Sequence, residues 1–178
     1  MARYVAFLKA INVGGHVVKM DRLRQLFEAE GLANVETFIA SGNVIFDAAA
    51  KNGHSLETKI AARLRKALGY DVATFLRTTT EVAAIARYQP FQGVDAKGTS
   101  LFIGFLAETP GAAANRAVTA LSTKADQFHV HGHELYWLCR GRMSDSDFSY
   151  AKLEKALGLE ATFRNVTTVA KIADKYAS

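Results

Sequence analysis

The chain has 178 residues, 49% of them hydrophobic and 22% charged, with two prolines. This composition excludes wholesale disorder and fibrous repeats and suits one compact unit or two small half-domains. Lys plus Arg is 22 against 17 Asp plus Glu, a net charge of +5. Residues 1–90 hold 12 basic and 8 acidic residues, and residues 91–178 hold 10 and 9, so the surplus lies in the first half. A modest positive charge attracts phosphates but also serves solubility alone. The longest apolar run, Leu101 to Ala107, is far short of the roughly 20 residues that span a bilayer. Lys9 interrupts the apolar N-terminal stretch, which argues against a signal peptide. The lone Cys139 cannot form an internal disulfide, and the expectation is a cytoplasmic protein with no membrane partner.

In chain order, Arg3 to Ala10 reads as a strand and Ile11 to Lys19 as a loop holding Gly14-Gly15. Met20 to Glu30 is a helix with Met20, Leu23, Leu26 and Phe27 on one face, stopped by Gly31. Val35 to Ala40 and Val44 to Asp47 form a hairpin around Ser41-Gly42-Asn43. In the helix from Ser55 to Leu68, Leu56, Ile60, Leu64 and Leu68 recur every fourth residue, and Gly69 ends it. Val72 to Arg77 is a fourth strand, which completes a ferredoxin-like β-α-β-β-α-β unit. A helix over Thr80 to Tyr88 and a linker through Pro90 and Gly98 follow.

The order then repeats: strand Thr99–Ala107, helix Ala112–Ser122, strands Gln127–Val130 and Glu134–Arg140, helix Tyr150–Leu157 closed by Gly158, and strand Ala161–Arg164. A last helix runs from Val166 to Tyr176. The predicted fold is α+β: tandem ferredoxin-like halves, 1–78 and 99–178, with an extra helix after each and a helix-and-linker connection over 79–98. A sheet with one face in water alternates apolar and polar residues. Leu101-Phe102-Ile103-Gly104-Phe105-Leu106 does not alternate, so the second sheet face should be covered.

Three segments carry a resemblance: Leu8-Lys9-Ala10-Ile11-Asn12-Val13-Gly14-Gly15, Ser41-Gly42-Asn43-Val44-Ile45-Phe46 and Ala161-Thr162-Phe163-Arg164-Asn165-Val166-Thr167-Thr168-Val169. Together, and in this order, they resemble the domain-of-unknown-function family 1697, with a match running almost end to end. The resemblance implies a bacterial cytosolic α+β protein of two ferredoxin-like halves and no established activity. Two departures stand out: Lys9-Ala10 replaces the family's arginine and glycine, and Val166 replaces the tryptophan that follows its Arg-Asn pair.

Two places could carry chemistry. The first strand ends where the first helix starts, and the hairpin turn lies at the same sheet edge. Gly14, Gly15, Ser41, Gly42 and Asn43 would thus lie together, with Lys9, Asn12, His16 and Lys19 supplying charge and hydrogen bonds. Glycines and a helix N-terminus suit a small phosphorylated or carboxylate ligand, although no Walker pattern is present. The plainer alternative is turn building, the commoner use of polar loop residues. The second place gathers Arg140, Arg142, Arg164 and Asn165, whose guanidinium forks would converge beside the last helix. Asp145 and Asp147 could instead pair with these arginines on a wet surface.

Other features point less far. His129, His131 and His133 lack complementary zinc ligands, so no metal or other cofactor is expected. Cys139 has no activating base nearby in sequence and reads as a buried thiol. The strand Asn43-Val44-Ile45-Phe46 lacks the aromatic platform of an RNA-recognition module, which disfavours nucleic acid on a sheet surface. A nucleic-acid module using Lys59, Arg63, Lys66 and the Arg140/Arg142 loop is the second reading, and an enzyme with no recognisable catalytic set is the third.

Overall fold

The computed structural model describes residues 1–9, 11, 15–39, 42–49, 52–92, 97–141 and 149–177. The first eight-element stretch is β1 (Ala2–Leu8), α1 (Met20–Ala29), β2 (Ala33–Thr37), β3 (Asn43–Ala48), α2 (Gly53–Leu68), β4 (Thr74–Thr78), α3 (Thr79–Arg87) and β5 (Thr99–Leu106). It continues with α4 (Ala112–Thr119), β6 (Asp126–His131), β7 (Glu134–Arg140), α5 (Tyr150–Leu157), β8 (Ala161–Asn165) and α6 (Val166–Tyr176). Among the described residues this is an α+β fold with two four-stranded antiparallel sheets and six helices. The chain divides into two compact units, residues 1–83 with 172–178, and residues 84–171. No described helix is long and apolar enough to cross a membrane.

In the first unit the strand order is β2-β3-β1-β4, so β1 and β3 are central. Tyr4, Ala6 and Leu8 of β1 and Val44 and Phe46 of β3 point to one face. There they meet Leu23, Leu26 and Phe27 of α1 and Leu56, Ile60 and Leu64 of α2. Apolar residues spaced by three and four thus fill one helix stripe, and alternate strand residues fill the facing layer. The opposite face is buried too: Val5, Phe7, Ile45 and Phe75 are all under 4% exposed. Near the β2 edge of this second face, the Tyr176 hydroxyl donates to Glu36 Oε2 at 2.8 Å. Its ring meets Phe38 edge-on, with centroids 6.1 Å apart.

The second unit repeats this plan with the order β6-β7-β5-β8. Leu106, Leu135, Trp137 and Cys139 face Val118 of α4 and Leu153 and Leu157 of α5. Gly104 lies under the Phe163 ring, and a Cβ there would come within 2.7 Å of Phe163 Cε1. The buried Asp126 carboxylate accepts the Trp137 indole N–H at 2.8 Å. On the other face Ile103, Phe105, Tyr136 and Leu138 are buried as well, which meets the expectation drawn from their lack of alternation.

Helix ends follow side-chain chemistry. The second helix starts at Gly53, two residues before the position read from periodicity, because Asn52 Oδ1 accepts from the amides of His54 and Ser55. Its end and that of α5 are closed by Gly69 and Gly158 in left-handed conformation, at φ 83° and 68°. Two strands pass into helices without a loop. Thr78 Oγ1 accepts from Glu81 N at 3.1 Å while Glu81 Oε2 accepts from Thr78 N at 2.6 Å, a capping box that starts α3. Asn165 Oδ1 accepts from Thr167 N at 2.9 Å and starts α6.

Removing either cap leaves an orphan helix donor, so Thr78→Ala and Asn165→Ala should each lower stability by about 1 kcal/mol in urea titrations. Asn165→Asp, which keeps the acceptor, should restore most of that loss.

Candidate functional site

The edge formed by the end of β1, the start of α1 and the β2–β3 turn lies in the first unit. Asn12, Gly14 and Ser41, three of the residues placed here from sequence, lie outside the described residues. Gly42 and Asn43 are described, and both are used by the turn. Leu8 N donates to Gly42 O at 2.9 Å, and Phe38 N donates to Asn43 O at 3.0 Å. The Asn43 side chain is fully buried and its Nδ2 donates back to Phe38 O at 2.9 Å. Gly42 has φ +85°, and a Cβ there would sit 2.7 Å from Ile11 Cγ2 and 3.2 Å from Leu8 Cβ. These two residues close a hairpin against β1.

The other residues of the edge face outward more. Lys9 is half-buried, its amide held by Ala73 O at 2.9 Å. Gly15 has φ +85° and open space around its α-carbon. His16 stacks on Tyr70, with centroids 3.9 Å apart and planes at 26°, and the Tyr70 hydroxyl donates to Ile11 O at 3.4 Å. Tyr70 carries no sequence signal for this loop, because it follows α2 some fifty residues later and only folding brings it here. Lys19 is the exposed N-cap of α1 and makes no side-chain cap. A lysine has donors only and cannot accept the first-turn amides. Asp21, in that first turn, is exposed and lies 3.8 Å from Arg24.

The second sequence cluster does not assemble among the described residues, and Arg142 lies outside them. Arg140 pairs with Thr99 and Arg164 with Ile103, on opposite sides of β5. Four residues along a strand separate them by about 13 Å, so the expected convergence of these two guanidinium groups is absent. The strand register decides this, and the hydrophobic pattern alone could not give it. Arg140 Nη1 donates to Lys124 O at 3.2 Å and Nη2 to Gln127 Oε1 at 3.3 Å. Arg164 is buried, and its Nη1 donates to Thr162 Oγ1 and to Phe163 O, both at 3.0 Å. Burial pulls its pKa down to about 10, which leaves it charged at neutral pH. Asn165 is occupied as the cap of α6.

The remaining motifs also find structural uses. Glu30 pairs with Arg63 and, at 3.5 Å, with Lys59; the Arg63 hydrogen bond holds the Glu30 carboxyl below its usual range. Two of the three cations of the α2 stripe therefore already carry an acidic partner. Cys139 is buried, and burial together with Asp126 pushes its thiol pKa up, away from nucleophilic reactivity. Among the described residues no group of three or more His, Cys, Asp or Glu is placed to hold a metal ion.

Alanine at position 42 meets both a left-handed backbone and the Ile11 methyl group. Gly42→Ala should therefore cost about 1–3 kcal/mol in urea unfolding, whatever ligand is present. Gly15→Ala faces only the conformational penalty and should cost less.

The comparisons with known proteins bear on fold and family. The solved structure of the conserved bacterial protein SP0830 from Streptococcus pneumoniae superposes with a TM-score of 0.78 at 22% identity, covering 100% of this chain and 99% of that one. At that identity the likeness speaks for the fold. The comparison with curated proteins gives no match. The model of the family described as "Protein of unknown function (DUF1697)" matches residues 1–136, three quarters of the chain and including both glycine motifs of the first unit. The chain belongs to the DUF1697 family.

Proposed function

We propose that the protein binds a small anionic, phosphorylated ligand at the edge of the first sheet, where β1 gives way to the loop before α1. One observation carries this reading: α1 starts on Lys19, a residue that cannot accept from the helix's first amides, at the edge where Lys9 also emerges. First-turn amides with a positive dipole end favour an anion, and the lysines of the two segments that form this edge add positive charge. Gly15 lets backbone and ligand approach closely, and the His16–Tyr70 pair supplies a planar wall beside Ile11. Gly42 and Asn43 act indirectly, by holding the hairpin against β1.

The two halves are read as ferredoxin-like units, residues 1–78 and 99–178, joined by the helix and linker over 79–98. The strand orders β2-β3-β1-β4 and β6-β7-β5-β8, with a helix in each crossover, support that reading. Nucleic-acid binding through the α2 stripe is the weaker alternative, since Glu30 engages Lys59 and Arg63.

The test is a thermal-shift titration with pyrophosphate and inorganic phosphate against chloride at matched ionic strength. A ligand bound only by the folded state adds RT ln(1 + [L]/Kd), about 2.7 kcal/mol at a hundredfold excess over Kd. Pyrophosphate at low millimolar concentration should raise the Tm of the natural sequence. Lys19→Ala should remove most of that rise while leaving the ligand-free Tm nearly unchanged, and Lys9→Ala should lower the rise as well. Equal responses in all three proteins would overturn the reading and leave the loop as architecture.

A further inference from the structure

The rim of the second sheet along β6 carries a set of rings that the anion reading does not use. His129 and His131 are alternate residues of β6 and share one sheet face with Gln127. Tyr88, the residue after α3, packs against this face. Its ring stacks on His131, with centroids 3.9 Å apart and planes at 14°, and its hydroxyl is 3.0 Å from His129 Nε2. Tyr88 is held from behind as well. Its ring is 5.2 Å from that of Tyr136, whose hydroxyl donates to Ile85 O at 3.2 Å, and its amide donates to Ala84 O at 3.1 Å. Phe91 meets His129 edge-on at 6.4 Å. His131 is exposed although one face of its imidazole lies on Tyr88, so the opposite ring face meets solvent.

The exposed charges along the same rim are of one sign. Arg140 alternates with Leu138 and Tyr136 on β7, so it lies on the face that carries His129 and His131. Its guanidinium reaches over to β6, donating from Nη1 to Lys124 O at 3.2 Å and from Nη2 to Gln127 Oε1 at 3.3 Å. Those two bonds fix the group and use only part of its five-donor fork. Lys124 is exposed, and Arg87, exposed at the end of α3, precedes Tyr88 in the chain. The two carboxylates of β6 and β7 are both buried: Asp126 accepts the Trp137 indole N–H, and Glu134 Oε2 lies 3.5 Å from His133 Nε2. The rim thus presents cations and flat rings, and neither strand exposes a carboxylate on it. From Gln127, where the Arg140 fork is held, to His131 is four strand residues, about 13 Å.

We propose that this rim binds an unpaired nucleic-acid strand, with a base stacked on the outer face of His131 and the backbone phosphates running to Arg140 and Lys124. Exposed rings set among cations suit such a strand, because every base has a π-face and every linkage carries a negative phosphate. Ring and guanidinium stand at opposite ends of the row, which a strand of several nucleotides covers and a lone phosphate does not. A duplex keeps its base faces inside the stack and offers this rim only phosphates. The Tyr88 ring fixes His131 before a base arrives, which lowers the ordering cost of binding. The site uses no residue of the first sheet edge and none of the α2 stripe. It also differs from the RNA-recognition pattern sought in Asn43–Phe46, since its rings stand on an edge strand and on the segment after α3 instead of on central strands.

Fluorescence anisotropy on the whole chain reads the interaction, with a labelled oligothymidylate of about 12 nucleotides, the matching oligouridylate, and the oligothymidylate annealed to oligoadenylate. The single strands should bind more tightly than the duplex; binding of one of them alone supports the site and names its sugar. His131→Ala should weaken binding about fivefold or more, while His131→Phe, which keeps a ring, should hold most of it. Arg140→Gln should lower the slope of log affinity against log salt by about 0.7, the share of one phosphate contact on a single strand. Lys59→Ala, on the α2 stripe, should change affinity far less than His131→Ala. Three results would each overturn the proposal: no binding of either single strand at about 100 μM protein in low salt, equal affinity for strand and duplex, or unchanged affinity in His131→Ala. Should a variant lose the natural Tm, the histidine ring protons decide the matter on the natural sequence. Saturating oligothymidylate must shift the His131 resonances more than those of His16 and His54, and the reverse order refutes the site.

Discussion

Both sheets are buried on both faces, and the rest of the structure depends on that constraint. Tyr4 through Leu8 of β1 are all buried, as are Ile103, Phe105 and Leu106 of β5. A single β-α-β-β-α-β unit places its two helices on one sheet face and leaves the other to water. Here that other face holds Val5, Phe7, Ile45 and Phe75 in one unit and Ile103, Phe105, Tyr136 and Leu138 in the other. Such residues stabilise the fold only when removed from water, at about 25 cal/mol per Å² of apolar surface. The extra helix after each fourth strand belongs to this requirement. In the first unit the end of α6 brings Tyr176 onto Glu36 and Phe38, and in the second the end of α3 offers Ile85 O to Tyr136.

The burial of the second face draws charge in with it. Arg77 and Arg164 are both under 9% exposed. They occupy matching places, Arg77 across from Val5 and Arg164 across from Ile103 on the central strands. Each sends Nη1 to the carbonyl of the residue before it, Leu76 at 2.8 Å and Phe163 at 3.0 Å. Each is followed by the residue that caps the next helix, Thr78 or Asn165. The outer strands are also treated alike: Glu57 of α2 accepts from Leu76 N at 2.9 Å, and Glu154 of α5 accepts from Ala161 N at 3.4 Å. A carboxylate laid on an edge amide blocks the pairing that would otherwise extend the sheet. Desolvation raises the Glu57 pKa, so this guard weakens in mild acid before an exposed carboxylate would. The repeated set of arginine, cap and edge carboxylate makes the two halves repeats in detail as well as in element order.

At the first sheet edge Gly42 and Asn43 lock the β2–β3 hairpin against β1. On the second face of the other sheet the Tyr88 ring stacks on His131 and its hydroxyl lies 3.0 Å from His129 Nε2. In each case the groups are presented by a framework whose own hydrogen bonds are satisfied: among the described residues no fully buried side-chain nitrogen or oxygen lacks a partner.

The sequence by itself determined the element order. Leu56, Ile60 and Leu64 announce α2, Gly69 and Gly158 announce where helices stop, and the missing alternation in Leu101–Leu106 announces a covered sheet. These signals are local: periodicity, left-handed glycines and β-patterning act over a few residues. The first sheet edge was legible for the same reason, since strand order and a short turn bring Leu8 beside Gly42. What was not legible needed distance in sequence. Tyr70 reaches His16 and Ile11 only once α2 has packed, and Tyr88 reaches His129 forty-one residues away. The separation of Arg140 from Arg164 depends on register along β5, which side-chain patterning leaves open. Gly42 reads as a tight-turn residue in the sequence, but the tertiary structure also makes it a packing position, because the Ile11 methyl group occupies the space a side chain would need.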